Sequence, residues 1–173
     1  MRQPCSGPHS IKLGRVPECS VVTKPWSELT TPELYAFLKL RTDVFFVEQK
    51  VDEEELDYRD LEPSTVHYWI AETDAPPGPG RTVAYLRVLL DATPSHRDAA
   101  RLISRVVVRA DHRGEGLAQV LLERVLADYP GESMLLHAQE YIAPLYAKVG
   151  FVEFGAVYVE AGLRHISMYR AAS

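Results

Sequence analysis

One stretch of the sequence constrains the fold more than any other, a β-branched run that leads through a glycine-containing loop into an amphipathic helix. The run is Val106-Val107-Val108, the loop contains Arg113-Gly114-Glu115-Gly116, and the helix is predicted over 117–128. Glycines let a backbone approach a ligand closely, and the unbonded N–H groups of a helix start carry partial positive charge. The pattern therefore predicts a site for an anion such as a pyrophosphate, with the forked guanidinium of Arg113 as a further donor.

Two other kinds of nucleotide-binding loop do not fit this stretch. It lacks the three-glycine spacing of a dinucleotide-binding turn and the lysine of a Walker loop. Two glycines alone are also compatible with an ordinary tight turn before a helix. The loop by itself therefore leaves a turn and an anion site open.

The hydrophobic periodicity predicts a mixed sheet flanked by helices, which is an α+β fold. In chain order the other predicted elements are a strand at 21–24, a helix that starts at Thr31-Pro32-Glu33, a hairpin of strands at 68–72 and 82–90 joined by a turn at 75–80, and a strand at 102–108; after the 117–128 helix come a strand at 134–139, a helix at 142–149 and strands at 151–154 and 163–169. Residues 1–20 are rich in proline and glycine and predict a flexible tail, so residues 21–173 form the single expected domain.

Composition excludes several functional classes. A net charge of -5 offers no general attraction to nucleic acid. Cys5 and Cys19 have no zinc-site or disulfide spacing, so a reducing cytoplasm and no metal are expected. No apolar run approaches the roughly 20 residues of a membrane span, and none resembles a signal peptide, so no membrane association is expected.

Two arginines interrupt apolar patterns. Arg41 lies on the apolar face of the first helix and Arg87 lies in the strand at 82–90. A buried arginine needs an acidic partner, which Asp57 or Asp60 could supply, so a structural ion network is favoured over substrate contact. The surrounding stretch, 52–62, has seven acidic residues in eleven and is typical of a solvated face; if it borders an acceptor opening, it would favour a cationic substrate.

The chain resembles the GNAT acetyltransferases in two separate signatures. A strand followed by Arg113-x-x-Gly116-x-Ala118 is similar to the family's Arg/Gln-x-x-Gly-x-Gly/Ala loop. The segment 144–151, with Tyr146 and a Gly150-Phe151 turn, is similar to the second signature. The segments 40–49 and 157–168, together with Asp57, Asp60 and His67, resemble the ElaA-type subgroup, so the likeness covers about residues 30–170.

The resemblance implies an α/β/α sandwich around a mixed sheet of about six to seven strands, with a V-shaped splay between the fourth and fifth. It implies acetyl-CoA as co-substrate and direct attack by an amine through a tetrahedral intermediate, whose oxyanion a backbone N–H of the splay would stabilise. Gln139 stands where the family often has an asparagine that bonds the cofactor's amide groups. The implied cofactor-binding residues are Val106, Val107, Val108, Arg113, Gly114, Glu115, Gly116, Leu117, Ala118, Gln139 and Tyr146.

Catalytic candidates follow from the same resemblance. An alkyl amine has a pKa of about 10.4, so a base must take a proton, and Glu48 and His67 are the candidates. A structural histidine stays open for His67. Tyr146 is the family's usual acid for the departing CoA thiolate, which has a pKa of about 8.5 if it is like a cysteine. In the alternative, the Tyr146 ring packs the helix on the sheet and its hydroxyl only bonds the cofactor's sulfur.

Two rival functions remain open at this stage. The chain also resembles acyl-homoserine-lactone synthases in its Leu-Arg-x-x-Val-Phe segment and in Asp57, Asp60 and Arg87. Those enzymes generally lack an Arg-Gly-x-Gly loop, which this chain has, and usually carry a tryptophan shortly after the first helix, which this chain lacks. A non-catalytic acyl-CoA-binding sensor would share the fold. The expected acceptor is a small-molecule or peptide amine, and a homodimer is left open.

Overall fold

The structure is a computed structural model that describes residues 20–72 and 82–172. Nearly all of the predicted tail and the whole predicted turn at 75–80 lie outside the described residues. The strands are β1 (Val21–Pro25), β2 (Val66–Ala71), β3 (Thr82–Leu90), β4 (Arg101–Val108), β5 (Met134–Gln139), β6 (Val152–Glu160) and β7 (Leu163–Arg170). The α-helices are α1 (Thr31–Arg41), α2 (Leu117–Asp128) and α3 (Ala143–Ala147).

The first helix starts one residue earlier than the sequence predicts. Thr30 is its N-cap, and a capping box joins the Thr30 side chain to the Glu33 backbone and the Glu33 side chain to the Thr30 backbone. After Arg41 the chain continues as a π-helical segment from Thr42 to Glu48. A wider turn of this kind is often found at functional sites.

The seven strands form one mixed sheet in the order β1-β2-β3-β4-β5-β7-β6. All neighbours are antiparallel except β4 and β5, which pair in parallel only from Arg101 with Met134 to Ile103 with Leu136. Beyond that last pair the two strands separate. The expected mixed sheet, predicted with about six to seven strands, and its splay between the fourth and fifth strands are therefore confirmed.

Apolar side chains on the two faces of the sheet form separate cores. On β3, Leu86 packs in the core that includes Leu121 of α2 and Tyr146 of α3, whereas Tyr85 packs with Phe37 of α1. Successive side chains on a strand point to opposite faces, so α2 and α3 cover one face and α1 covers the other. This is the predicted α/β/α arrangement.

Two element lengths differ from the sequence prediction. The third helix is shorter than predicted, because a 3-10 turn at Glu140–Ile142 precedes it and Gly150, at φ 90°, turns the chain soon after it. The following strand is longer than predicted and runs to Glu160, with a register shift between Phe154 and Tyr158. Among residues 20–72 and 82–172, no helix is both long and apolar enough to cross a membrane.

Candidate active site

A cavity of about 860 Å³ opens where β4 and β5 separate. Its walls come from the π-helical segment, the acidic stretch 52–62 that follows it (called the acidic loop below), both splayed strands, the start of α2, and the β6–β7 hairpin. Most of the predicted cofactor-binding residues line it: Val106, Val107, Val108, Arg113, Gly114, Gly116, Leu117, Ala118, Gln139 and Tyr146. The structure thus brings two distant signatures to one cavity.

The splayed edges provide backbone hydrogen-bonding groups. On β4 the residues from Ser104 onward, and on β5 those from His137 onward, lie beyond the last β4–β5 pair. Arg105 sits at this point with φ 55°, where the β3–β4 register shifts, so a bulge turns β4 away from β5. Backbone groups on these edges have no partner in the opposite strand, and a ligand can satisfy them.

The loop before α2 has the features of an anion site. Gly114 and Gly116 have φ values of 83° and 82°, a left-handed conformation that favours glycine. Gly116 is the N-cap of α2 and makes no side-chain capping bond. A Cβ atom placed on either glycine would meet nothing within 4 Å, so open space lies in front of the helix start. The residues present therefore fit a pyrophosphate bound by the first N–H groups of α2.

Arg113 is held by protein groups rather than pointing freely at this space. Its guanidinium makes a bidentate ion pair with Glu48, with both N–O distances 2.7 Å, and Nε donates to the Val108 carbonyl at 3.1 Å. The pair lowers the pKa of Glu48 and raises that of Arg113. Both side chains remain 43% exposed, so the pair can exchange for another anion. Glu115 does not line the cavity, and its carboxylate contacts His112 Nδ1 at 3.1 Å.

Tyr146 and Gln139 lie deeper in the cavity. Tyr146 is 6% exposed, and its burial raises the pKa of the phenol well above its ordinary value. No described residue makes a hydrogen bond to its hydroxyl. Gln139 donates through its side-chain amide to the Gln49 side chain at 2.9 Å, which links β5 to the end of the π-helical segment.

Polar and apolar groups both line the part of the cavity formed by the π-helical segment, the acidic loop and the β6–β7 hairpin, called here the acidic opening. Phe45 and Phe46 contribute aromatic surface, and Glu53, Glu54 and Glu160 contribute carboxylates. Glu53 accepts a hydrogen bond from the Ala161 backbone N–H at 2.8 Å, which ties the acidic loop to the β6–β7 turn. The part of the acidic stretch that reaches this opening therefore borders the cavity, as the cationic-substrate hypothesis requires.

The structural ion network that the sequence favours for Asp57 and Asp60 is confirmed. Asp60 is 6% exposed and joins Arg41 at 2.8 Å to Arg87 at 2.9 Å. Asp57 completes the network through Arg87, whose guanidinium lowers the Asp57 pKa to about 2 against the effect of burial. Since Arg41 and Arg87 are almost wholly buried, these carboxylates provide the charge that the arginines need.

A second arginine contact joins the acidic loop to β4. Arg105 forms an ion pair with Glu55 at 2.6 Å and donates to the Glu54 and Glu55 carbonyls at 3.3 and 3.2 Å. These bonds lie at the bulge where β4 departs from β5. The ion network thus fixes the acidic loop against the splayed strand.

The structure separates the two candidate bases. Glu48 lies beside the α2 loop in the Arg113 pair, on the cofactor side. His67 does not line the cavity and is fully buried, stacked on Phe37 at 5.2 Å between ring centroids. Its Nδ1 contacts the Tyr85 hydroxyl at 2.8 Å and its Nε2 contacts the Asp60 carbonyl at 3.1 Å. Burial lowers its pKa to about 4, so its surroundings match the structural alternative.

Sequence reasoning missed polar residues that line the same cavity. They are Gln49, His137, Tyr141 and His165. His137 had a detectable signal, since it interrupts the apolar strand β5 two positions before Gln139, and alternate residues share a face. Across residues 20–72 and 82–172, no group of three or more His, Cys, Asp or Glu is placed to hold a metal ion.

Comparison with known proteins decides the family. A family model described as an acetyltransferase (GNAT) domain matches residues 41–171. The chain belongs to the GNAT acetyltransferase family. It is also 34% identical over 151 residues to Protein ElaA of Escherichia coli. The aligned region covers 83% of this chain and 91% of ElaA. The predicted ElaA-type likeness is therefore confirmed.

Two solved structures support this GNAT assignment. The crystal structure of Escherichia coli ElaA has a TM-score of 0.75 at 31% identity, and the match covers 88% of this chain and 99% of that one. The crystal structure of an acyl-CoA N-acyltransferase from Pseudomonas aeruginosa has a TM-score of 0.76 at 36% identity, with the same coverage.

The acyl-homoserine lactone synthase BjaI is similar in fold only. Its structure with SAM and isopentyl-CoA has a TM-score of 0.63 at 18% identity and covers 81% of this chain and 76% of BjaI. At that identity the likeness carries no argument about activity. The rival synthase hypothesis gains nothing beyond the shared fold.

Proposed function

We propose that this protein is an acetyl-CoA-dependent N-acetyltransferase whose acceptor is a cationic amine. The observation that carries the proposal is one cavity lined both by a helix start and by carboxylates. The uncapped start of α2 and two left-handed glycines line it, and so do Glu53, Glu54 and Glu160. A polyanionic co-substrate and a cationic acceptor would each find complementary groups in such a cavity.

The co-substrate end would be formed by the α2 loop and the splayed strands. The N–H groups of the α2 start would receive the pyrophosphate, and Arg113 would add a donor once its bond to Glu48 is exchanged. Gln139 would bond the amide groups of the pantetheine arm, and the free backbone edge at Val106 to Val108 would lie beside the thioester. One N–H of that edge would stabilise the developing oxyanion.

Tyr146 is the proposed general acid. Its hydroxyl lines the cavity, has no partner among the described residues, and stays protonated because burial raises its pKa. It can therefore donate its proton to the sulfur as the C–S bond breaks. The proton would return to the phenolate from solvent before the next turnover.

The acceptor end would select amines by charge. Glu53, Glu54 and Glu160 favour a second positive charge on the acceptor, while Phe45 and Phe46 offer surface to its carbon chain. A diamine or a lysine-like amine has both features. The expected preference is for a substrate that carries a cation beyond the reacting nitrogen.

The first experiment measures binding and turnover with the full chain. Acetyl-CoA should raise the unfolding temperature, and free thiol should appear when a diamine is added. A neutral alkyl amine of equal length should react less efficiently, and added salt should narrow the difference. Equal efficiency at all salt concentrations would overturn the cationic acceptor. Binding without thiol release from any amine would instead indicate the acyl-CoA sensor.

A matched pair of variants tests the general acid. Tyr146→Phe should lower kcat by about 10²-fold or more while leaving CoA affinity nearly unchanged. Tyr141→Phe is the control, since Tyr141 also lines the cavity but is 73% exposed, and it should keep kcat. Unchanged kcat in Tyr146→Phe would leave Tyr146 with a packing role.

A further inference from the structure

A cluster of hydrogen-bonding side chains surrounds one of the cavity-lining residues, His137, to which no role has been given above. His137 of β5, Tyr158 of β6 and Ser167 of β7 meet there. His137 Nδ1 lies 3.0 Å from the Ser167 hydroxyl and 2.9 Å from the Tyr158 hydroxyl. Three strands of the sheet thus converge on one imidazole.

The position of His137 is set by the splay. It is the first β5 residue beyond the last β4–β5 pair, and it stands directly opposite Ser167 in the β5–β7 register. It lines the cavity together with Gln139, two positions further along the same strand. Glu160 of the acidic opening lines the same wall. The imidazole therefore shares a cavity with Gln139, the proposed partner of the pantetheine arm, and with Glu160.

The hydrogen bonds orient the ring. Both hydroxyls are on Nδ1, and no described residue makes a hydrogen bond to Nε2. A hydroxyl oxygen can accept, so a neutral ring that carries its proton on Nδ1 donates it to Ser167 or Tyr158 and keeps a lone pair on Nε2. A base held by a third group in this way is the arrangement used to activate nucleophiles.

We propose that His137 is the general base, with Nε2 accepting the proton of the attacking amine while Ser167 and Tyr158 position the ring through Nδ1. This proposal rests on the proposed N-acetyltransferase function. In the step, an amine that has already lost its ammonium proton to solvent bonds the acetyl carbon through its nitrogen, and the C–S bond breaks. The amine proton goes to Nε2 and then to water, and the sulfur takes the proton of Tyr146. The N–H becomes acidic as the N–C bond forms, so an imidazole suffices.

Partial shielding of the imidazole from solvent, rather than the charges around it, favours the neutral form of His137 that a base requires. Glu160 and Tyr158 of β6 and His165 of β7 are the titratable groups that face it. Shielding of the ring lowers the pKa of His137, Glu160 acts to raise it, and His165 acts to lower it further. The net shift is downward from about 6.5, so Nε2 is free to accept at neutral pH.

The sequence candidates do not meet the same conditions. Glu48 forms a bidentate pair with Arg113 beside the α2 loop, and both ring nitrogens of His67 have partners inside the core. His165 lines the cavity, but its Nδ1 is 3.0 Å from the carbonyl of Leu163, within its own strand, and no hydroxyl orients it. His165 is therefore the matched control for His137.

The test compares His137→Gln with His165→Gln in thiol release from acetyl-CoA and a diamine. His137→Gln should lower kcat by about 10²- to 10⁴-fold with unchanged CoA affinity. His165→Gln keeps His137 and both hydroxyls that orient it, so it should lower kcat far less than His137→Gln does. In the wild type, log kcat should fall below the His137 pKa, and His137→Gln should lose that part of the fall.

A second variant keeps the imidazole and removes its partners. Tyr158→Phe combined with Ser167→Ala should lower kcat and leave CoA affinity unchanged, because the ring loses both bonds that orient it. A normal rate and an unaltered pH profile in both this variant and His137→Gln would overturn the proposal while leaving the N-acetyltransferase function intact. Absence of thiol release by the wild-type protein with every amine would overturn both.

Discussion

Exchange of the Arg113–Glu48 pair during CoA binding predicts that removing Glu48 strengthens CoA binding. Arg113 has its guanidinium on both Glu48 oxygens at 2.7 Å, and the proposed role requires it to turn to a phosphate of CoA. The ion pair must then break when CoA binds. Glu48→Gln removes that competitor without changing the length of the side chain.

The magnitude follows from the exposure of the pair. Both side chains are 43% exposed, so the pair is worth about 0.2–1 kcal/mol, with the bidentate geometry favouring the upper part of that range. If CoA binding breaks the pair completely, Glu48→Gln should lower the CoA Kd by about 1.4- to 5-fold. The gain should be largest at low salt.

Isothermal titration of CoA into wild-type protein and variants measures this effect. Glu115→Gln is the matched control, because it removes the same charge two residues from Arg113 but leaves the Arg113–Glu48 pair in place. A gain in Glu48→Gln beyond that in Glu115→Gln supports the exchange. An unchanged or higher Kd in Glu48→Gln would refute it. A large loss of kcat in Glu48→Gln would restore Glu48 as a candidate base.

Three further predictions concern the loop and the ion network. Gly116→Ala should lower the free energy of unfolding by about 1–2 kcal/mol, because alanine disfavours the left-handed φ of 82°. The variant should also bind CoA more weakly. Thermal melts with and without CoA measure the stability and the binding. Asp60→Asn should cost about 3–5 kcal/mol in urea unfolding, since Arg41 and Arg87 lose a shared carboxylate. The control Glu140→Gln, in the exposed Arg164 pair, should leave the unfolding midpoint nearly unchanged. Because the pKa of Asp57 is depressed, its contribution to stability is complete above the ordinary aspartate pKa of about 3.9 and is lost as pH falls through about 2. Between neutral and acid pH, the free energy of unfolding should therefore decline less in Asp57→Asn than in the wild type.

Local sequence patterns predict much of the fold. The helix at 117–128 and the strands at 82–90 and 134–139 were predicted with the bounds that the structure has. Apolar periodicity and a glycine at a helix start are short-range signals, because they follow from backbone geometry within a few residues. Element ends were less accurate, as for the strand that extends to Glu160, since tertiary pairing across the hairpin decides them.

The polar residues of the candidate site differ in how far the sequence identifies them. The α2 loop, Gln139 and Tyr146 were found from sequence because signature spacing marks them, and the structure places them on one cavity. His67 is a candidate named from the sequence and His137 is not, although both are single histidines in strands. Only the packing of α1 buries the first, and only the splay of β4 from β5 opens a cavity beside the second.

The sequence alone determined the family, the order of elements and the position of the candidate anion-binding loop. Tertiary structure alone decided the partners of each charged or polar side chain, as with Gln49 and Gln139, which are 90 positions apart and bonded to each other. The physical reason is that a signature records backbone conformation within one short segment. Burial, charge pairing and access to the cavity depend instead on the register and separation of segments that are distant in the chain.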